Sequence, residues 1–369
     1  MATYPSDTSP STKMASTIPL LDNQCSFCYK STSAHISCLR CNIVQYCSSD
    51  HQAQHAPAHS SRCSTVTILT DEVAEHRFDL ENDPEFGNLF DSGIALWSIS
   101  ETFAWSHTTK LLLKALRRIP TRLAIERALD IAWHRMEAMA AVDHSGVKFM
   151  IPAFLLRLGR DQEAYDFLKW FATKGRPPLF GAEWDFDMEG EDAGEDLQDG
   201  GWDLQEVREW DDELKYGDQE LLSPLVAVCL VKLRLWQNLR ELRGAEEVLT
   251  GRLPREILDR VREEYMARDV VASSEDTIKG MRDGLDLTAK IDDLQRQIDE
   301  LFFAVQRRNK YFWPLLVQPG NTLDLEVDWE EEKREAIDVL QHNIDAWRET
   351  AVAVHWLENK MQHVSLEGP

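Results

Sequence analysis

Eight residues in the first part of the chain have side chains that commonly bind zinc, and their number suits two tetrahedral sites. Six of the seven cysteines and two histidines follow one another as Cys25, Cys28, Cys38, Cys41, Cys47, His51, His59 and Cys63. Zinc in structural sites is usually held by four cysteine or histidine ligands, with no position open for water or substrate. The segment therefore predicts two closed zinc sites, which fold the chain around them and perform no chemistry.

These ligands form four consecutive pairs with two kinds of spacing. In the first two pairs the ligands are separated by two residues, so a tight turn can aim both sulfur atoms at one ion. In the last two pairs they are separated by three residues, and residues four apart lie on the same face of a helix. The spacing therefore predicts turns for the first two pairs and helical turns for the last two.

Two alternatives concern this assignment. His55 lies between His51 and His59 at the same four-residue spacing and could also face a metal, although two histidines suffice and the spacing favours the outer two. A disulfide framework is the other alternative. The chain shows no secretory signal and has an odd number of cysteines, and clustered cysteines in intracellular proteins more often bind metal. Zinc binding is the better interpretation.

The segment resembles a MYND-type zinc finger, a family whose pattern is CxxC, CxxC, YC-x3-C-Q and H-x3-C. The matching residues are Cys25 to Cys28, Cys38 to Cys41, Tyr46-Cys47, His51-Gln52 and His59 to Cys63. The resemblance implies a cross-braced arrangement. One zinc would then be held by Cys25, Cys28, Cys47 and His51, and the other by Cys38, Cys41, His59 and Cys63.

Two positions depart from the family pattern. His51 stands where the family usually has cysteine, which keeps the coordination and makes the first site Cys3His, with a charge of about −1 by ligand counting. Ala56 stands where the family has a tryptophan that lines the groove for proline-rich peptides, while Gln52 is retained. The resemblance therefore implies a protein or peptide partner, but only weak binding of proline-rich peptides.

Composition limits the class of protein. The 369 residues include 64 acidic and 40 basic side chains, giving a formal net charge of −24, which repels nucleic-acid phosphates and anionic membranes. Residues 1–22 are rich in Ser, Thr and Pro and predict a disordered tail without a signal peptide. No apolar run is long enough for a transmembrane helix. We expect an intracellular protein, nuclear or cytoplasmic.

The chain after Cys63 predicts one helix after another, so the expected fold class is mainly α. We place the finger at 23–65 and a helical domain at 66–369. Apolar residues recur at helical spacing within 161–171, 222–236, 291–305 and 337–354, and helices are also predicted over about 92–118, 121–142, 146–158 and 253–268. Cys229 lies inside an apolar run and is predicted to be a buried thiol.

One stretch of the helical domain, residues 155–171, resembles a helix-turn-helix unit of the tetratricopeptide kind, although no period near 34 residues recurs. We therefore expect an irregular helical-repeat domain. This stretch and residues 309–321 also resemble a group of fungal MYND-finger proteins with a long helical region, a resemblance that implies no activity. Tyr311, Phe312 and Trp313 form either a peptide-binding patch or a plug in the core, and burial of large aromatic side chains favours the plug.

An acidic segment interrupts the helical domain at about 178–218. Residues 183–220 include 17 acidic and two basic residues, with tryptophans at 184, 202 and 210. Such a segment cannot bury enough apolar surface to order itself fully, so a solvated loop is predicted. The alternative is an acidic-aromatic docking segment for a basic partner.

No catalytic motif is present, and we predict that the protein is not an enzyme. A SET-type lysine methyltransferase is the first alternative, because one such family carries a MYND finger, but its Asn-His-Ser-Cys run is missing. A RING-like ubiquitin ligase is the second, but its ligand spacing differs after the fourth ligand. Glycine-rich phosphate loops, GxSxG and HExxH are also missing. The sequence predicts a protein-interaction module or adaptor that carries a zinc finger on a helical scaffold.

Overall fold

The structure is a computed structural model that describes most of the chain. It covers residues 23–31, 36–92, 96, 99–139, 146–173, 222–249, 252–266, 287–319 and 330–367. The predicted tail at 1–22 and the acidic segment at 183–220 lie outside the described residues. All structural statements that follow concern the described ranges.

The fold is mainly α, as predicted. The described residues form one small antiparallel sheet, in which β1 (Ile36–Ser37) pairs with β2 (Gln45–Tyr46), and eleven α-helices. In chain order the helices are α1 (Ser49–Glu81), α2 (Thr102–Arg117), α3 (Arg122–Ala138), α4 (Ile151–Arg157), α5 (Asp161–Thr173), α6 (Leu222–Leu249), α7 (Arg255–Met266), α8 (Thr288–Arg308), α9 (Phe312–Val317), α10 (Glu331–Glu349) and α11 (Ala351–Glu367). Short 3-10 helices cover Leu89–Asp91 and Val147–Met150.

Helix α1 joins the zinc-ligand segment to the rest of the protein. It runs for 33 residues and begins with Ser48 as its N-cap, whose side chain accepts a hydrogen bond from the backbone N–H of His51. Pro57 lies inside α1 and removes one backbone donor without ending the helix. The helix continues past Cys63 and packs along α2. The boundary that we place between residues 65 and 66 therefore falls within one continuous helix.

The remaining helices pack as neighbouring pairs around a shared core. Helix α2 contacts α3, α4 contacts α5, and α6 contacts α8 and α10. Between α4 and α5 the chain turns through Gly159, whose φ of 72° suits glycine because it has no Cβ. The helices range from 6 residues in α9 to 33 in α1, and a tetratricopeptide repeat is not confirmed.

One predicted apolar stripe is divided between two helices. The pattern over 337–354 crosses Thr350, where α10 ends and α11 begins. The Thr350 hydroxyl accepts hydrogen bonds from the buried Arg234 guanidinium, at 3.1 Å from Nε and 2.9 Å from Nη2. Helical spacing does not show this break, because the apolar residues keep their spacing across Thr350. Helix α2 also begins later than predicted, at Thr102.

The aromatic residues before Pro314 belong to the core. Phe312 and Trp313 are buried, and the indole N–H of Trp313 donates to the backbone carbonyl of Phe302 at 3.0 Å. The Trp313 ring stacks on the Phe302 ring, with centroids 5.5 Å apart. The predicted core plug is therefore confirmed. Cys229 is likewise buried, and burial raises the pKa of its thiol.

Two arginines cross-link the helices from inside the core. Arg234 on α6 donates to Asp161 Oδ1 and to the carbonyl of Leu156, both at 2.8 Å. Arg157 at the end of α4 donates through Nε and Nη2 to the Glu349 carboxylate at 2.7 to 3.0 Å. Buried charges of this kind remain tolerable only while their partners are present. None of the described helices is long and apolar enough to span a membrane.

Candidate metal centre

The eight predicted ligands come together as two separate groups of four. Within each group the candidate ligand atoms all lie within 4.8 Å of one another. The first group contains Cys25, Cys28, Cys47 and His51, and the second contains Cys38, Cys41, His59 and Cys63. Each group draws on two different ligand pairs, so the chain crosses between the groups. This is the division that the family resemblance implies.

The two knuckles that supply the CxxC pairs have the same backbone design. The residue after each knuckle, Tyr29 or Asn42, has a positive φ, of 58° and 55° respectively. Its backbone N–H donates to the carbonyl of the first cysteine, at 2.8 Å for Tyr29 to Cys25 and 2.9 Å for Asn42 to Cys38. Asparagine adopts such a conformation readily, whereas tyrosine rarely does. The sequence indicates the turns but not the strained conformation of Tyr29.

Helix α1 supplies three of the remaining four ligands. His51 lies in its first turn, and His59 and Cys63 lie one turn apart on the same face, as their spacing predicts. Cys47 precedes the N-cap Ser48, so it is not in the helical turn that its spacing with His51 predicts. The reason is that the Ser48 side chain accepts a hydrogen bond from the backbone N–H of His51 and so caps the helix, which therefore begins after Cys47.

Most of the distances between ligand atoms fit tetrahedral zinc. Bonds of about 2.0 to 2.3 Å to nitrogen and sulfur place neighbouring ligand atoms about 3.3 to 3.8 Å apart around a tetrahedral ion. In the first group, Sγ of Cys28 and Cys47 are 3.8 Å apart, and Cys25 Sγ lies 3.6 Å from His51 Nδ1. Cys47 Sγ lies nearer to His51 Nδ1, at 2.9 Å. Three thiols and one imidazole are the donor set of a closed Cys3His site.

The second group is more deeply buried. All four of its residues are buried, with Sγ of Cys38 and Cys63 3.8 Å apart and Cys41 Sγ 3.3 Å from His59 Nε2. Burial, together with the neighbouring Cys38 and Cys63, raises the pKa of the Cys41 thiol to about 12. A divalent cation among these sulfur atoms stabilises their thiolate forms, because opposite charge favours ionisation. The two groups are consistent with two zinc ions.

His55 belongs to neither group of ligands. Its Nδ1 lies 3.1 Å from the Tyr46 hydroxyl, and its ring stacks on that of His59 with centroids 5.8 Å apart. These contacts place His55 beside the His59 ring but outside both groups of ligands. Desolvation, followed by the charges of His55 and Arg62, lowers the pKa of His59 and so keeps its imidazole neutral and able to bind metal.

The finger is also attached to the helices by side chains that sequence reasoning misses. Thr121, the N-cap of α3, donates its hydroxyl to the carbonyl of Ile43 at 2.5 Å. Arg127 donates from Nη1 to the carbonyl of Cys41 at 3.2 Å and from Nη2 to the Thr70 hydroxyl at 3.0 Å. The sequence can indicate that Thr121 caps a helix. It does not indicate the second hydrogen-bond partner of Thr121, which lies 78 residues away.

Comparison with known proteins agrees with this geometry. Residues 25–63 match the family model of the MYND finger. No curated protein and no solved structure gives a significant match to the chain. The matched residues begin and end on the first and last zinc ligands, so the assignment concerns this segment. The segment that carries both groups of zinc ligands is a MYND finger, a module that generally mediates protein–protein interactions.

Proposed function

We propose that this protein is an adaptor, in which the MYND finger presents a recognition surface and the helices hold that surface in place. The protein binds a protein or peptide partner and catalyses no reaction. Both zinc groups support this proposal, because each supplies four protein ligands and leaves no open position for substrate. The zinc ions have a structural role here: they fix loops that are too short to form a core of their own.

One observation carries the proposal: each knuckle holds an exposed apolar side chain at its centre. Phe27, between Cys25 and Cys28, is 36% exposed with its ring centroid 5.0 Å from that of His51, and Leu39, between Cys38 and Cys41, is 90% exposed. Tyr29, at the end of the first knuckle, is 73% exposed. Zinc binding fixes the knuckles and so holds these apolar side chains in contact with water, which is unfavourable. Burial against a partner would recover this free energy, and groups of exposed apolar side chains mark interaction sites.

The proposal can be tested by cross-linking in cells followed by purification of the full-length protein. We expect proteins captured by the wild type to be lost with a Phe27→Ser, Leu39→Ser double variant. Phe103→Ser is the matched control, because Phe103 is 74% exposed but lies on α2 outside the finger. Zinc content of all three proteins should remain equal, because no ligand is changed. Identical sets of captured proteins from all three would contradict the proposal.

A further inference from the structure

A cavity of about 340 Å³ lies where the finger meets the helices. Its walls come from four parts of the chain: the finger around Ser26 and Ile43, the face of α1 that carries His55 and Arg62, the turn from Ile119 into α3, and Glu349 at the end of α10. Two of the eight zinc ligands, Cys25 and His59, contribute, one from each group, so the cavity borders both zinc sites while its remaining walls lie outside them. Its volume lies within the range of protein ligand pockets.

This cavity differs from the groove in which the family binds proline-rich peptides. The positions that correspond to that groove, Gln52 and Ala56, do not line it. The cavity requires the helices, since the residues from Ile119 to Leu123 form one wall. An isolated finger would therefore lack this site.

The charged groups around the cavity favour an anion. Arg62 and Arg122 both line it, and the backbone of α3 begins at Arg122, where the first N–H groups of a helix have no acceptor within it and carry partial positive charge. Among the residues that the structure describes, Glu349 is the only acidic one that lines the cavity, and both of its carboxylate oxygens already accept hydrogen bonds from Arg157. Arg122 is paired with Glu126 on the surface, a contact of low strength that a bound anion can replace.

The part of the sequence that leads into α3 is also rich in basic residues. Residues 102–125 contain five basic and no acidic side chains, in a chain whose net charge is −24. The cavity also has apolar lining, from Ile43, Val44, Ile119 and Leu123, and one buried hydroxyl, Ser26 Oγ, without a hydrogen-bond partner among the described residues. A ligand that suits these walls combines a carboxylate with an apolar side chain.

We propose that this cavity binds an acidic segment of a partner protein, in which a glutamate or aspartate faces Arg62 and Arg122 and a neighbouring aliphatic side chain enters between Ile43 and Ile119. The inference names a class of partner for the proposed adaptor and rests on that function. The recognition site then belongs to the finger and the helices jointly. Tyr29 belongs to both surfaces, but the exposed knuckle residues Phe27 and Leu39 do not line the cavity, so variants of these two residues test the knuckle surface separately.

Fluorescence anisotropy of a labelled peptide tests the proposal on the zinc-loaded, full-length protein. The probe carries a leucine between two glutamates, and a second probe has lysines in place of the glutamates. We expect saturable binding of the acidic probe, at least about tenfold weaker in an Arg62→Glu, Arg122→Glu variant. Glutamate in the first turn of α3 is compatible with the helix dipole, so this variant should fold. Arg296→Glu, which changes an exposed arginine on α8, is the matched control.

A second variant blocks the cavity without changing charge. Ala58→Phe places a large side chain in its wall and should abolish binding, whereas Ala74→Phe makes the same change at an exposed position of α1 outside the cavity. Equal binding by these two variants, or equal binding of both probes, would overturn the assignment. Binding that appears only after residues 183–220 are replaced by a glycine-serine linker would mean that the chain's own acidic segment occupies the cavity, which also overturns the assignment.

The knuckle variant separates this inference from the proposed adaptor function. Unchanged probe binding by the Phe27→Ser, Leu39→Ser variant shows that a failure of one proposal is not a failure of the other.

Discussion

At the scale of single residues, histidine roles are decided by contacts rather than by spacing. His51, His55 and His59 recur every four residues, and sequence alone favours the outer two without excluding the third. The structure places His51 and His59 in the two groups of ligands and pairs His55 with the Tyr46 hydroxyl. Cysteine and histidine types therefore predict the number of sites, whereas the partner of each ring depends on the fold.

The first prediction concerns zinc stoichiometry. The wild type should contain two zinc ions per chain by elemental analysis, because two complete groups of four ligands are present. His59→Ala should reduce the ratio to about one, since a four-ligand structural site loses a ligand. His55→Ala, one helical turn away, is the matched control and should retain both ions. A loss of zinc with His55→Ala but not with His59→Ala would reverse the assignment.

The second prediction concerns proline-rich peptides. Ala56 is exposed on α1, where the family resemblance implies an aromatic wall, so we expect weak or no binding by the wild type. Ala56→Trp should bind more tightly, because an aromatic anchor often contributes a few kcal/mol to binding. Titration calorimetry with one proline-rich peptide compares the two proteins. Tight binding by the wild type would show that the groove works without that wall.

The pH dependence of zinc retention provides a third prediction. Burial, followed by the charges of His55 and Arg62, lowers the pKa of His59, so the imidazole resists protonation as the pH falls. Arg62→Gln removes the charge and should raise the pKa of His59. The same charge repels a divalent zinc ion more strongly than a proton, so its removal strengthens zinc binding more than protonation, and zinc should be retained to a lower pH than in the wild type. Zinc release during acid titration, followed with a chromophoric chelator, measures the shift; Arg77→Gln, at an exposed position farther along α1, should leave the wild-type curve unchanged.

At the scale of elements, periodicity predicts helices well and their ends poorly. The stripes over 222–236 and 291–305 fall in α6 and α8 as expected, because their apolar residues all face one core. The stripe over 337–354 is divided at Thr350, which ends α10 and whose hydroxyl accepts a hydrogen bond from Arg234. The predicted boundary of the finger at 65 lies inside α1, which continues to Glu81 and packs on α2.

A fourth prediction follows from the position of the ligands on α1. All eight lie at or before Cys63, and metal binding is coupled to folding where the ligands are. Chelation should therefore increase amide hydrogen exchange in β1, β2 and the first half of α1, and leave α6 and α8 protected. The second half of α1 should change less, since Leu80 is buried in a separate cluster with Leu89 and Trp105. Loss of protection throughout α8 would show that the whole protein unfolds with the metal.

At the scale of the whole molecule, buried ion pairs fix how distant parts of the chain meet. Arg234 connects α6 with the start of α5 through Asp161 and with the α10–α11 junction through Thr350. Sequence reasoning assigns arginines to the surface by default, because a charge is costly to bury. The burial of Arg234 could not be predicted, since the groups to which its side chain donates lie at least 73 residues away.

Removal of this buried cation is the basis of a fifth prediction. Arg234→Met should reduce the free energy of unfolding by about 3 to 5 kcal/mol, because Asp161 remains buried without its partner. Arg296→Met breaks a pair that is exposed on both sides and should cost less than about 1 kcal/mol. Urea denaturation measured on both variants gives the comparison. Equal losses of unfolding free energy in the two variants would mean that water reaches the Asp161 carboxylate.

Helix α1 limits how the finger can be transplanted. A fragment that ends at residue 65 would expose the side chains of Ile43 and Val44, which are only 1% and 2% exposed in the whole protein. It would also lose the hydrogen bond from Thr121 to Ile43. A fragment that starts at residue 66 would begin in mid-helix, without the Ser48 cap. Neither fragment contains all the residues that its fold uses. Moving residues 25–63 alone into another protein would therefore transfer the zinc ligands but not the surface against which this finger folds.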